Sequence, residues 1–105
     1  MTLLTLCVIL SSMIQSFKDK ETEKIWNQIY SKRIPKDVQR IGFRKLIMIH
    51  RAKDLFDLRV PPGNRLEQLS GNRMGQYSIR INSQWRVCFN WNEGIVSEVE
   101  ITDYH

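Results

Sequence analysis

The sequence predicts an α+β fold of the compact kind, with an N-terminal strand and two helices packed on an antiparallel β-sheet. Three observations carry that prediction. Apolar residues recur at helical spacing through the first half, "VPPGN" at 60–64 ends that pattern, and beyond it the apolar period drops to two. A chain of 105 residues has room for one domain and one core, burying about 60 to 70% of its unfolded surface.

Residues 1–12, "MTLLTLCVILSS", stand apart from the rest. Their apolar run has no Lys or Arg ahead of it, as a secretory signal wants, and falls short of the roughly 20 apolar residues that span a membrane. Three readings stay open: a mis-called or dispensable start, an extra strand or helix packed on the core, or a weak targeting or membrane contact. Met13 opens "MIQSF", a first strand, so the domain is expected to occupy 13–105.

Asp19 reads as a helix N-cap, with Glu21 and Glu23 in the first turn where the helix dipole favours negative charge. The helix is expected over 20–32, with Ile25, Trp26, Ile29 and Tyr30 on one stripe facing the core. Pro35 suits the first turn of a second helix running to about residue 56, whose many apolar positions predict burial on two sides. Gly42 within it marks a close crossing or a break, since glycine in a helix interior costs about 1 kcal/mol relative to alanine.

After "VPPGN", Tyr77, Ile79 and Ile81 alternate with polar residues, as do Trp85, Val87, Phe89 and Trp91 in the next run. Ile95, Val99 and Ile101 continue the apolar face in a third strand. A two-residue loop would set Ile81 against Gln84, so the faces match only with a three-residue loop at 82–84, pairing Ile79 with Val87. Arg80 then lies across from Arg86. Like charges directly opposite are destabilising, so either an anion sits over the pair or a carboxylate lies beside it. With "NEG" as a second three-residue loop, Glu100 falls opposite Arg86, a structural ion pair that needs no substrate.

The formal net charge of +5 favours polyanionic partners and is also compatible with ordinary solubility. Cys7 and Cys88 form neither a disulfide framework nor a metal cluster, which makes a reducing cytoplasm the expected compartment. No phosphate loop, HExxH, paired CxxC or helix-turn-helix signature occurs, so neither a metal nor a nucleotide cofactor is expected. His50, among apolar neighbours, reads as a structural or surface histidine, and Cys88 lacks a neighbouring histidine to activate it as a nucleophile. The chain closes on "EITDYH". His105 titrates nearest neutral pH and is the natural proton-transfer candidate, while a last residue is equally at home in a frayed tail.

The segments "PPGNRLEQLSGNRMGQYSIRINSQWRVCFNW" and "VEITDYH" together closely resemble the HigB toxins of the RelE superfamily, the compact toxins of bacterial toxin–antitoxin pairs. The resemblance covers 13–105 and leaves 1–12 outside it. It implies a ribosome-dependent mRNA endonuclease that inhibits translation from the ribosomal A site. It also implies a HigA-type helix-turn-helix antitoxin that binds operator DNA together with the toxin. Such cleavage sends a ribose 2'-hydroxyl against the adjacent phosphate. That step needs a proton acceptor, cations over the developing charge and a donor for the departing 5' oxygen, with no metal required.

Carried over residue by residue, Arg73 and Arg86 match positions that hold the scissile phosphate. Asp103, Tyr104 and His105 match the terminal motif, for proton transfer and nucleotide positioning. Arg65, Glu67, Arg80 and Asn82 complete the expected substrate contacts. Where some relatives carry a histidine at Glu67 and a lysine near Ser70, this chain has neither. Proton acceptance then falls to His105, Glu67 or Asp103, the lost cation is replaced by Arg65 or Arg80, and His105 or Tyr104 is kept as the acid. The alternative is a catalytically silent member of the fold that acts only in a complex with antitoxin and operator DNA. In either reading no membrane is expected among the partners of the domain.

Overall fold

The computed structural model describes residues 13–71 and 75–103; the extension 1–12, Arg73, Tyr104 and His105 lie outside the described residues. Strand β1 (Met13–Ile14) leads into helix α1 (Lys20–Trp26) and helix α2 (Lys36–Arg51). Two short 3-10 helices follow, Leu55–Arg59 and Pro62–Asn64, then β2 (Glu67–Gln68), β3 (Gln76–Arg80), β4 (Trp85–Asn92) and β5 (Ile95–Asp103). The five strands form one sheet in the order β1-β5-β4-β3-β2. Strands β2 to β5 are antiparallel, and β1 joins the β5 edge in parallel, bonding Met13 N to the Gly94 carbonyl and Gln15 N to the Val96 carbonyl.

Asp19 caps α1 as its sequence implied, its carboxylate accepting from Thr22 N at 3.0 Å. The helix ends earlier than residue 32. Gln28 takes a left-handed conformation (φ 61°). Ile29 N bonds the Lys24 carbonyl at 2.8 Å and Gln28 N the Ile25 carbonyl at 3.0 Å, the paired bonds of a Schellman terminus. Ile25 and Trp26 therefore stay on the core stripe, whereas Ile29 and Tyr30 leave it, 55% and 58% exposed. Helix α2 also stops short of residue 56: Ala52 is extended, and Asp54 caps a separate 3-10 helix through Phe56 N.

The core lies between the helices and one face of the sheet. From α2 it takes Val38, Leu46 and Ile49, and from the strands Ile79, Ile81, Val87, Phe89, Val96, Val99 and Ile101. Ile41, Phe43 and Met48 pack against it from the flanks of α2, the wide apolar surface that its composition announced. Gly42 is a point of close crossing. A Cβ there would meet Ile101 Cδ1 at 2.9 Å and Ile81 Cδ1 at 3.5 Å. His50 is structural: its Nδ1 accepts from Ile14 N at 3.3 Å, and its ring lies 5.1 Å from Trp26.

The first hairpin has the expected register, Ile79 opposite Val87 and Arg80 opposite Arg86. Asn82 makes it, its side-chain oxygen accepting from Gln84 N and Trp85 N, each at 2.8 Å. The second hairpin differs from expectation. Asn92 pairs with Ile95, so the loop is the two residues Glu93 and Gly94, both with positive φ. A bulge then adds one residue to β5 at Glu98 (φ 53°), between Ser97 opposite Asn90 and Glu100 opposite Cys88. Each change moves the register by one. Arg86 therefore faces Thr102, not Glu100, and Glu100 pairs instead with Lys18 at 3.2 Å.

Candidate active site

Strand alternation sends Ile79, Ile81, Val87 and Ile101 toward the helices and Ser78, Arg80, Arg86 and Thr102 to the opposite face. There Arg65, Glu67, Arg80, Asn82, Ser83 and Arg86 line a cleft of about 320 Å³. Three neighbouring segments build it: the turn after the second 3-10 helix brings Arg65, β2 brings Glu67, and the β3–β4 hairpin brings the rest.

Arg86 is the fixed member. Only 8% of it is exposed. Its Nε donates to Ser78 Oγ at 2.9 Å, and one terminal nitrogen donates to the Arg65 carbonyl at 2.6 Å. The other terminal nitrogen lies 3.7 Å from Glu67 Oε1, whose side chain is half-exposed. A buried cation is stable only when its donors are met, and this one is met by oxygens from three elements. The guanidinium is consequently held before any ligand arrives. The carboxylate beside the arginine pair is thus Glu67, reached across the sheet edge, and not the Glu100 that a shorter count of β5 implied.

Arg65 and Arg80 have no carboxylate within ion-pairing distance among the described residues. Three arginines against one glutamate leave the cleft with a surplus of two positive charges. Such a surplus of guanidinium donors, with Ser83 and Asn82 on the same cleft wall, suits an anion that accepts several bonds, as a phosphate does. Among the described residues no group of three or more His, Cys, Asp or Glu could hold a metal ion.

Of the residues expected at the site, Arg65, Glu67, Arg80, Asn82 and Arg86 come together here. Asn82 shapes the hairpin as well as lining the cleft. Asp103 is placed elsewhere: it pairs with Trp85, on the parity of the helix-facing residues, and accepts from Gln84 Nε2 at 2.8 Å. Arg73, Tyr104 and His105 fall outside the described residues. Cys88 is 1% exposed. Sequence reasoning missed Ser78, which fixes the Arg86 Nε, although alternation already placed it on the face of Arg80 and Arg86.

A small mixed sheet with two helices on one face and an arginine-lined cleft on the other defines a compact α+β class of protein. Comparisons with known proteins narrow that class. Residues 15–105 match the family model described as the RelE-like toxin of type II toxin–antitoxin system HigB. Toxin HigB-1 of Vibrio cholerae is 43% identical over 84 residues, covering 79% of this chain and 88% of that protein. Endoribonuclease HigB of Proteus vulgaris is 33% identical over 98 residues, covering 89% of this chain and all of that one. Among solved structures, the YoeB dimer of Staphylococcus aureus matches with TM-score 0.57 at 21% identity, covering 90% of this chain and 97% of that one. An Escherichia coli YafQ mutant matches with TM-score 0.55 at 10% identity, covering 89% and 93%. The chain belongs to the HigB family of RelE-like toxins of type II toxin–antitoxin systems, and an antitoxin is its expected partner.

Proposed function

We propose that this protein is an endoribonuclease toxin that cuts mRNA on the ribosome. What supports the reading is the arginine cleft, in which a buried, pre-oriented Arg86 stands beside Arg65 and Arg80. The name of the Proteus vulgaris relative adds the reaction class. A phosphate of the message sits over Arg80 and Arg86. The ribose 2'-hydroxyl attacks it, the proton passes to a base, and the negative charge that grows on the phosphorane oxygens is met by the guanidinium groups. The bond to the 5' oxygen breaks, that oxygen takes a proton, and the products carry a 2',3'-cyclic phosphate and a 5'-hydroxyl.

Glu67 is the carboxylate lining the cleft and takes the role of proton acceptor; an ionised carboxylate accepts a proton and is a poor donor. Tyr104 and His105 supply the acid, and Arg73 adds a cation, on the strength of the motifs they share with the family. Asp103, bonded to Gln84 away from the arginines, serves to set the end of β5. The chain partners a HigA-type antitoxin, through which it reaches operator DNA, and it works in the cytoplasm; among the described residues no helix is long and apolar enough to cross a membrane. The test is a message carrying a single 2'-deoxy nucleotide at the mapped cut. Cleavage there should stop while neighbouring cuts persist. Unchanged cleavage at the deoxy position rules out the 2'-hydroxyl as nucleophile, and a chain that neither cuts nor arrests growth is a silent member of the fold.

A further inference from the structure

The glycine–asparagine pair of "PPGNR" does no chemistry in this account, yet Asn64 is completely buried. Its Nδ2 donates to the Leu58 carbonyl at 3.1 Å and the Val60 carbonyl at 3.4 Å, and its Oδ1 accepts from Lys45 Nζ of α2. The residue after it, Arg65, is held at φ 44°, ψ 60°, the left-handed conformation that side chains other than glycine rarely adopt. Arg65 contributes to the cleft twice, since its side chain lines the cleft and its carbonyl receives the Arg86 guanidinium at 2.6 Å.

We propose that Lys45 and Asn64 are positioning residues. Bonded to each other behind the sheet edge, they lock the Arg65 backbone so that its carbonyl aims Arg86 and its side chain enters the cleft. The inference rests on the proposed reaction only for its kinetic consequence. From Lys45 the coupling itself runs through a hydrogen bond to Asn64, the covalent link from Asn64 to Arg65, and the hydrogen bond between the Arg65 carbonyl and Arg86. Burial pushes the Lys45 ammonium below the ordinary lysine value, consistent with a cation drawn inward to serve Asn64.

The experiment uses the full chain and two variants: Lys45→Met, which keeps the apolar stem and removes the donor, and Lys45→Arg, which keeps a cationic donor. In Lys45→Met, kcat on a translated message should fall on the order of tenfold or more with KM little changed, because a misaimed group lowers the chemical step. Lys45→Arg should recover most of it. In the ¹⁵N spectrum the Arg86 Nε–H signal should shift and broaden in Lys45→Met alone. A folded Lys45→Met with wild-type kcat and an unmoved Arg86 signal overturns the inference. So does a variant whose loss of activity is accounted for wholly by its unfolded fraction. If the wild type itself cuts no RNA, the functional reading fails separately, and the Arg86 signal still decides the coupling.

Discussion

Arg86 is where sequence and structure meet at the scale of single residues. Alternation alone put it on the polar face across from Arg80, and the structure keeps it there. Its partners were not legible. An unbroken count from "NEG" points to Glu100 as the carboxylate, whereas Glu67 lies 19 positions before Arg86 and is delivered by a strand of two residues with no apolar alternation to announce it. Alternation placed Ser78 on the same face without showing that its hydroxyl would hold the Arg86 Nε, and the Arg65 carbonyl is invisible to pattern, since a backbone oxygen carries no sequence signal. The geometry separates the arginines by role. Arg86→Ala should lower cleavage about a hundredfold to a thousandfold, the cost of removing one pre-oriented donor from a developing oxyanion. Arg86→Lys should recover little, because one ammonium cannot serve Ser78, the Arg65 carbonyl and Glu67 together. Arg80→Ala should act more on KM and on salt dependence. Single-turnover and steady-state rates on the same message distinguish these, and equal effects of Arg80→Ala and Arg86→Ala on kcat would remove the distinction drawn here.

At the scale of elements, what was readable had side chains that do their work locally. Asp19 as a cap, Asn82 in the first hairpin and Gly42 at a crossing each follow from one residue's chemistry. What was missed turns on backbone conformation without its usual residue. Gln28 ends α1 and Glu98 makes the β5 bulge in left-handed conformations where glycine is the usual marker, so nothing in composition flagged either. The two-residue turn and the Glu98 bulge together set Thr102, and not Glu100, across from Arg86. Gly42 offers the clearest stability test. Gly42→Ala gains about 1 kcal/mol of helix propensity and loses a similar amount because its Cβ meets only the tip of Ile101, so the net change should stay within about 1 kcal/mol. Gly42→Leu should cost about 3 kcal/mol or more, as it must force α2 from the sheet. Urea midpoints check both. A stable Gly42→Leu would mean that the helix and sheet are not in close contact there.

For the molecule as a whole, two titrations should shape stability against pH. The Ser31 hydroxyl, donating at 2.5 Å with Lys24 nearby, holds the Glu21 carboxyl below its ordinary 4.5. Its contribution is therefore present above that value and lost as pH falls through the lowered one. Burial lowers Lys45 from its ordinary 10.5, so between the lowered value and 10.5 the unfolded chain binds more protons and stability rises with pH. Glu21→Gln should flatten the acid limb of the urea-midpoint profile and Lys45→Met the alkaline limb, each leaving the other in place; limbs that track the wild type would show that these groups contribute nothing.

Fold class was legible across the chain because helical and alternating periods occupy separate halves, and the motif of the second half carried the family. Arg65, Glu67, Arg80, Asn82 and Arg86 of the cleft were named from the sequence and Ser83 was not, and the bonds among them depend on chain segments that only the folded state brings together. In the proposed function this cleft cuts mRNA on the ribosome. The direct measurement is cleavage of one defined message by purified protein, with and without ribosomes, for the wild type and Arg86→Ala. The wild type should cut only the translated message, and Arg86→Ala should cut it about a hundredfold or more slowly. Equal cutting by Arg86→Ala, or wild-type cutting that is indifferent to ribosomes, would contradict the account.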